Sequence, residues 1–139
     1  MKKRTTQAQI RQRIQYEHES EHEEWQFETT AELIELTSFT KLAYQDEQEV
    51  AIELKWQQHA VSGNPTLSIK QPAYTLVFNL EQKTLTHYQT PQGVWPLEIE
   101  TEHLSWKQVG DQQQVTVLYS TKVNEIPFGK YEYQLIYNG

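Results

Sequence analysis

Apolar and polar residues alternate along most of this chain, and the alternation has a period of two. The stretch VAIELKW (50–56) shows it clearly, because apolar side chains occupy every second position with Glu53 and Lys55 between them. Successive side chains of a β-strand point to opposite faces of the sheet, so this period is typical of strands with one face in a core. No long window shows the 3.6-residue repeat of an amphipathic helix. The pattern predicts an all-β protein.

Ten segments carry the alternation, and turn sequences separate several of them. The segments are 10–16, 25–33, 39–44, 50–56, 67–69, 74–80, the residues around Leu85, 97–104, 115–123 and 131–137. SGNP (62–65), TPQG (90–93), VGD (109–111) and IPFG (126–129) place Pro or Gly where turns need a fixed or positive φ. Short strands with no helix between them favour an antiparallel meander. Because an open sheet of about ten strands leaves long edges exposed, we expect one closed or nearly closed antiparallel barrel first and a two-sheet sandwich second.

Strand parity assigns side chains to the two faces of this barrel. Glu98, Glu100 and Glu102 fall on one parity and are expected to form a solvated outer face. In the segment around Leu85, strand parity predicts that Leu85 and His87 lie on the inner face. His87 is then either an interior polar group with a hydrogen-bond partner or part of a pocket.

Length and composition limit the kind of protein. The chain of 139 residues fits a single barrel domain over 1–139, and it contains no cysteine, as is common in a reducing compartment. The N-terminus MKKRTTQ is basic but lacks the apolar run of a signal peptide, and residues 1–7 are expected to form a flexible basic tail. No apolar stretch approaches the ~20 residues needed to cross a bilayer. We therefore expect a cytoplasmic protein with no membrane partner.

The charge balance argues against nucleic acid as a partner. A formal net charge of -7 repels phosphate backbones over most of the surface. A local basic patch is the exception: Lys2, Lys3, Arg4, Arg11 and Arg13. We interpret it as a solubilising tail and the solvent-exposed face of a strand, with docking of an acidic partner as the alternative.

The segment HESEH (18–22) has the HExxH spacing with which two histidines bind zinc on the helix of a metalloprotease. Residues four apart lie about 6 Å apart along a helix. On a strand the distance is about 13 Å, too far to share one ion bound at about 2.1 Å. The neighbouring residues offer no apolar face for a helix and no third ligand. We expect an acidic hairpin tip, with no metal site and no cofactor, so a metal-dependent hydrolase is the least supported function.

Other enzyme motifs are missing from the sequence. No GxSxG nucleophile motif accompanies the serines, and five glycines in the whole chain leave little material for a phosphate-binding loop. We assign no catalytic residue and expect a protein that is not an enzyme.

Aromatic residues with a polar group are concentrated on the faces assigned to the interior. A barrel of eight or more strands is able to enclose a small ligand, and aromatic walls with a few hydroxyls are typical of such cavities. The alternative is that the rings fill the barrel as an ordinary core. The candidate residues for binding a small amphipathic or aromatic molecule are Trp25, Phe27, Trp56, Tyr74, Phe78, Tyr119, Tyr131 and Tyr133.

A second hypothesis places function on the outer face of the barrel. Four apolar residues have outward parity: Ile34, Val77, Leu118 and Ile136. If they cluster, they would mark an interface with a partner protein or with a second copy of the chain. The barrel would then be a protein-interaction scaffold or a homo-oligomer.

Several segments together resemble the YwiB-like family, small bacterial β-barrel proteins of unknown function. They are WQFETTAELIELTSFTKLAYQDE (25–47), TPQGVWPLEIETEHLSW (90–106), QQVTVLYSTKV (113–123) and KYEYQLIY (130–137). The resemblance covers roughly Ile10 to Tyr137 and implies a lipocalin-like (calycin) barrel. It carries no catalytic or binding residue onto this sequence, and it places HESEH in the first hairpin.

Overall fold

Ten antiparallel strands form one sheet that curves into a nearly closed barrel. The computed structural model describes residues 2–16, 22–57 and 66–138. Within them the strands are β1 (Lys2–Tyr16), β2 (His22–Glu35), β3 (Thr40–Gln45), β4 (Ala51–Gln57), β5 (Thr66–Lys70), β6 (Thr75–Asn79), β7 (Thr84–Thr90), β8 (Gly93–Val109), β9 (Gln112–Val123) and β10 (Ile126–Asn138). This confirms the predicted antiparallel barrel of about ten strands.

The strand order is β6-β5-β4-β3-β2-β1-β10-β9-β8-β7, so the first and last strands are neighbours in the middle of the sheet. β1 pairs with β10 from Ala8 opposite Tyr137 to Tyr16 opposite Gly129. The two edges of the sheet are therefore β6 and β7, although these strands follow one another in the sequence. We call the line where these two edges meet the seam.

Threonine side chains join the two edges at the seam. Oγ1 of Thr84 donates a hydrogen bond to the carbonyl oxygen of Val77, and Oγ1 of Thr86 donates one to the carbonyl oxygen of Thr75 at 2.8 Å. Elsewhere in the sheet, backbone N–H groups of the neighbouring strand make this kind of bond. Hydroxyl groups of β7 thus satisfy carbonyl groups that β6 presents at its edge.

The inward side chains of the strands form the core of the barrel. Apolar residues at every second position are buried, as the alternation predicts. The largest fully buried side chains are Phe78, Ile10, Leu33, Leu42, Leu54, Leu67, Ile99, Leu135, Val115 and Val117.

The predicted flexible tail over residues 1–7 is replaced by a strand in the structure. Lys2–Gln7 form the first part of β1 and pair with residues 30–35 of β2. Nζ of Lys3 lies 3.3 Å from a carboxylate oxygen of Glu32, and Nη2 of Arg4 lies 3.8 Å from one of Glu35. Lys3 and Arg4 thus face opposite charges on the neighbouring strand.

The predicted inner face of β7 is also wrong. Leu85 is 58% exposed and His87 is exposed, whereas Thr86 is buried. The tight TPQG turn sets the register, with Thr90 opposite Gly93 and therefore Thr86 opposite the inward Leu97. Turn geometry fixes which residues of a hairpin face each other, and here it decides the parity.

Two further sequence predictions concern polar segments. Of the three glutamates expected on the outer face, Glu100 and Glu102 are exposed and Glu98 is partly buried, and the register of β8 against β9 shifts between Thr101 and His103. Residues 18–21 of HESEH lie outside the described residues; His22 is exposed at the start of β2, its Nε2 3.4 Å from Oε1 of Glu24. In the part of the chain that the structure describes, no group of three or more His, Asp or Glu residues is placed to hold a metal ion.

No helix among the described residues is long and apolar enough to cross a membrane.

Candidate binding cavity

A cavity of about 220 Å³ opens at one end of the barrel, beside the seam. This end contains the beginnings of β6, β8 and β10 and the ends of β7 and β9. The lining is mostly apolar and aromatic and consists of Tyr74, Leu76, Tyr88, Trp95, Leu97, Tyr119, Thr121, Val123, Phe128 and Tyr131. Trp95 and Phe128 are 42% and 46% exposed, so they form the rim of the opening.

The hairpin of β9 and β10 positions one wall of the cavity. Asn124 and Glu125 form its turn in the left-handed region, with φ of 50° and 67°. The register then shifts between Pro127 and Gly129, and Phe128 is the extra residue of this irregularity. The shift lets Phe128 reach the cavity and puts Gly129 opposite Thr121.

Gly129 leaves room for the ring of Tyr131. A Cβ atom at position 129 would lie 3.3 Å from the hydroxyl oxygen of Tyr131 and 3.2 Å from the backbone oxygen of Gln15. A side chain at this inward position would therefore crowd both the cavity wall and β1. The glycine allows Tyr131 to lie over its own strand.

The aromatic rings form two groups around the cavity. Tyr119 and Tyr131, a cross-strand pair, are stacked with ring centroids 4.9 Å apart and planes 10° apart. Phe78 lies under Tyr119 with a centroid distance of 4.6 Å. Tyr74 and Tyr88 meet edge to face at 5.0 Å, and they belong to opposite sides of the seam. Such contacts stabilise rings in fixed positions.

The hydroxyl groups in the cavity differ in their hydrogen bonds. Oγ1 of Thr121 donates a long hydrogen bond of 3.4 Å to the hydroxyl oxygen of Tyr131. The hydroxyl of Tyr119 makes no hydrogen bond to any residue that the structure describes. Burial raises the pKa of Tyr119 strongly, and the neighbouring phenols of Tyr131 and Tyr74 raise it further. Burial also raises the pKa of Tyr74, with Tyr88 next in effect.

A different arrangement holds the tyrosines deeper in the barrel. The hydroxyls of Tyr44 and Tyr133 share a hydrogen bond of 2.6 Å, and both residues are buried. Burial raises the pKa of Tyr44 to about 12, although its hydrogen bond to Tyr133 works in the opposite direction. Burial raises the pKa of Tyr133 well above its usual value. This pair belongs to the core and does not line the cavity.

The structure brings three of the eight predicted ligand-binding residues into the cavity: Tyr74, Tyr119 and Tyr131. The other five lie elsewhere. Phe78 is fully buried beneath Tyr119, and Tyr133 is bonded to Tyr44. Trp56 packs against Tyr137 at 5.9 Å, and Phe27 packs against Tyr44 at 5.8 Å. Trp25 is partly buried and lines a separate open groove with Arg11 and Arg13.

Sequence reasoning missed the remaining lining residues. Tyr88 was not predicted, because Leu85 and His87 were expected on the inner face of β7; the register of the TPQG turn would have placed Tyr88 opposite Trp95. Phe128 depends on a strand irregularity that the alternation does not show. Leu76, Leu97, Thr121 and Val123 have inward parity, but parity alone does not distinguish a cavity wall from a core position.

Fold and cavity together define a class of protein: a nearly closed antiparallel β-barrel of ten strands with an aromatic cavity at one end. The chain belongs to the family described as a domain of unknown function, DUF1934, which it matches over residues 8–135. It is similar to the crystal structure of the ywiB protein from Bacillus subtilis, with a TM-score of 0.66, 14% identity and coverage of 97% of this chain and 92% of that chain. No curated protein matches it. The resemblance to YwiB-like proteins is thereby confirmed, and at this identity the structural likeness shows the fold alone.

Proposed function

We propose that this barrel binds a small aromatic or amphipathic compound in the cavity beside the seam. The observation that carries the proposal is an apolar cavity of about 220 Å³ with a tyrosine hydroxyl, that of Tyr119, left without a partner among the described residues. Tyr119 is partly buried and lies on the cavity wall, so its hydroxyl is available to donate a hydrogen bond to a compound that enters the cavity.

The size of the cavity indicates the size of the compound. An apolar cavity of about 150 Å³ is able to hold benzene, and pockets for drug-sized ligands begin at about 300 Å³. A cavity of about 220 Å³ lies between these values and fits one ring or two fused rings. The exposed rim residues Trp95 and Phe128 offer apolar contacts to any part of the ligand that extends outward.

Naphthalene is a suitable first probe, because it tests the apolar cavity without any hydrogen bond. In a ¹H–¹⁵N NMR titration, we expect saturable shifts confined to amides of the lining residues. Leu97→Trp fills the cavity from β8 and should abolish these shifts, whereas Leu85→Trp adds the same ring on the exposed face of β7 and should leave them unchanged. Val123→Phe is a second variant that fills the cavity. It is used if Leu97→Trp is destabilised, because partial unfolding would also abolish the shifts.

The proposal would be overturned by two results. One is the absence of saturable shifts up to the solubility limit of naphthalene. The other is binding that persists in both folded filling variants.

The outer-face alternative has less support from the structure. Val77 is exposed, Ile34 and Leu118 are partly buried, and Ile136 is only 7% exposed. These residues do not pair with one another across strands. Their cross-strand neighbours are polar: Lys3, Lys41, Ser68, His103, Glu132, Gln9 and Gln114.

A homo-oligomer or protein scaffold therefore remains a prediction without a defined surface. The lipocalin-like relationship, the cytoplasmic location and the exclusion of nucleic-acid and membrane partners likewise remain predictions from the sequence.

A further inference from the structure

The phenol groups of Tyr74, Tyr119 and Tyr131 lie close together in the cavity. Tyr119 and Tyr131 are stacked side by side on adjacent strands. Tyr74, the residue before β6, lines the same cavity. Three tyrosines from separate parts of the chain thus line one mostly apolar cavity.

One hydrogen-bond donor in the cavity, the hydroxyl of Tyr119, is available to a ligand. A phenol has one O–H to donate and lone pairs to accept. The hydroxyl oxygen of Tyr131 accepts the bond from Oγ1 of Thr121, while the O–H of Tyr119 reaches no acceptor among the residues that the structure describes. A ligand atom that accepts a hydrogen bond would therefore satisfy Tyr119.

The charge of the lining limits the ligand further. None of the ten lining residues carries a carboxylate, an ammonium or a guanidinium group. Moving an ion from water into such a site costs several kcal/mol unless an opposite charge compensates. A tyrosine has a usual pKa of 10.0, and burial raises the pKa of Tyr74 and Tyr119 further, so these phenols are protonated donors at neutral pH.

We propose that the cavity selects neutral, flat compounds of one or two rings that carry a hydrogen-bond acceptor such as an aryl carbonyl, with Tyr119 donating to the acceptor. This inference rests on the proposed function and names the chemical class of its ligand. The uncharged lining weakens the binding of ionised analogues, and plain hydrocarbons bind without the polar contact.

Three probes of nearly equal shape separate these contributions. They are 2-acetylnaphthalene with a carbonyl acceptor, 2-ethylnaphthalene without it, and 2-naphthoate with a negative charge at neutral pH. In equilibrium dialysis we expect the ketone to bind about three- to tenfold more tightly than the hydrocarbon, the range given by one net hydrogen bond. The carboxylate should bind more weakly than either.

Tyr119→Phe tests which hydroxyl makes the contact. It should reduce the affinity for 2-acetylnaphthalene to that for 2-ethylnaphthalene and leave the affinity for the hydrocarbon unchanged. Tyr137→Phe is the matched control, because Tyr137 is a buried tyrosine at the other end of the barrel and does not line the cavity. It should alter neither affinity.

The outcomes distinguish this inference from the proposed function. Equal affinities for ketone and hydrocarbon, or equal losses of both in Tyr119→Phe, would overturn the inference and leave the binding cavity in place. Tightest binding of 2-naphthoate would overturn it as well. If none of the three probes binds, the proposed function fails, and the inference fails with it.

Discussion

Two groups of tyrosines share the interior of this barrel, and they differ in how their hydroxyls are satisfied. Tyr44 and Tyr133 are buried and bonded to each other at 2.6 Å. Tyr119 and Tyr131 occupy inward positions too, but they stack beside a cavity, and the Tyr119 hydroxyl has no partner among the described residues. Burial alone therefore does not distinguish a core tyrosine from a candidate binding tyrosine. The hydrogen-bond partner of the hydroxyl does.

The transition between the two environments takes two residues of β10. Tyr131 and Tyr133 are successive inward positions, about 7 Å apart along the strand. The next inward position beyond Tyr133 is the fully buried Leu135, whereas the one before Tyr131 is Gly129, which has no side chain. Leu135 fills its own position in the core, whereas the ring of Tyr131 takes the space that a side chain at position 129 would need.

The largest effect on stability is expected where the barrel is filled. Leu135→Ala should lower the free energy of unfolding by about 2–5 kcal/mol, because it opens a void between fully buried neighbours. Leu97→Ala at the cavity should cost about 1–2 kcal/mol, since this partly buried side chain already faces open space. Urea denaturation followed by circular dichroism measures both. Equal losses would show that the cavity end is packed as tightly as the core.

Removing one hydroxyl of the bonded pair should come next. Tyr133→Phe leaves the hydroxyl of Tyr44 buried without its partner, and we expect a loss of about 1–3 kcal/mol. The double variant Tyr44→Phe/Tyr133→Phe removes both groups and should be less destabilised than the sum of the two single variants. Additive losses in this double-mutant cycle would mean that the two hydroxyls do not depend on each other.

Alkaline pH tests the same pair without mutation. The folded-state pKa of Tyr44 is about 12 against a usual value of 10, so between these values the unfolded chain loses a proton that the folded chain keeps. Stability should therefore be complete below pH 10 and fall as the pH rises, by about 1.4 kcal/mol per pH unit for each such tyrosine. Urea midpoints between pH 9 and pH 12 measure the slope. The double phenylalanine variant should show a smaller slope, and an unchanged slope would contradict the burial of the pair.

The sequence predicted the strands and the inward faces, but not the depth of a residue along the barrel. Parity correctly placed Tyr74, Tyr119 and Tyr131 inside, and it equally placed Trp56 and Tyr133 inside, where they belong to the packed core. Position along the axis depends on the stagger of the strands and on the volumes of neighbours from distant segments. The alternation within one strand indicates neither the strand stagger nor the volumes of these neighbours.

Local irregularities explain the other differences. The register that the TPQG turn imposes reverses the expected faces of β7 and brings Tyr88 inside. The irregularity between Pro127 and Gly129 adds Phe128 to the rim. Both features lie at the cavity end of the barrel. The alternation of apolar and polar residues therefore predicted the candidate site less well than the rest of the fold.

The seam should show a smaller effect on stability than the core. Thr86→Val keeps the shape of a buried side chain and removes the hydrogen bond of 2.8 Å to the carbonyl oxygen of Thr75. We expect a loss of about 1 kcal/mol, together with faster hydrogen exchange of the β6 and β7 amides. The matched change Thr101→Val is a control, because Thr101 is buried on β8, away from the seam. If exchange in β6 and β7 were the same in both variants, the threonine bonds would not hold the two edges together.

The smallest effect on stability is expected for Tyr119→Phe. The substitution is chemically identical to Tyr133→Phe, both rings are packed against the core, and both residues lie on inward faces. Two differences remain: the hydroxyl of Tyr133 has a partner whereas that of Tyr119 has none among the described residues, and Tyr133 is buried in the core whereas Tyr119 lines the cavity. We therefore expect a change within about 0.5 kcal/mol in urea denaturation, because no hydrogen bond is lost and no partner is left unsatisfied. A loss as large as that of Tyr133→Phe would show that Tyr119 is bonded within the folded protein, and the two groups of tyrosines would then be alike.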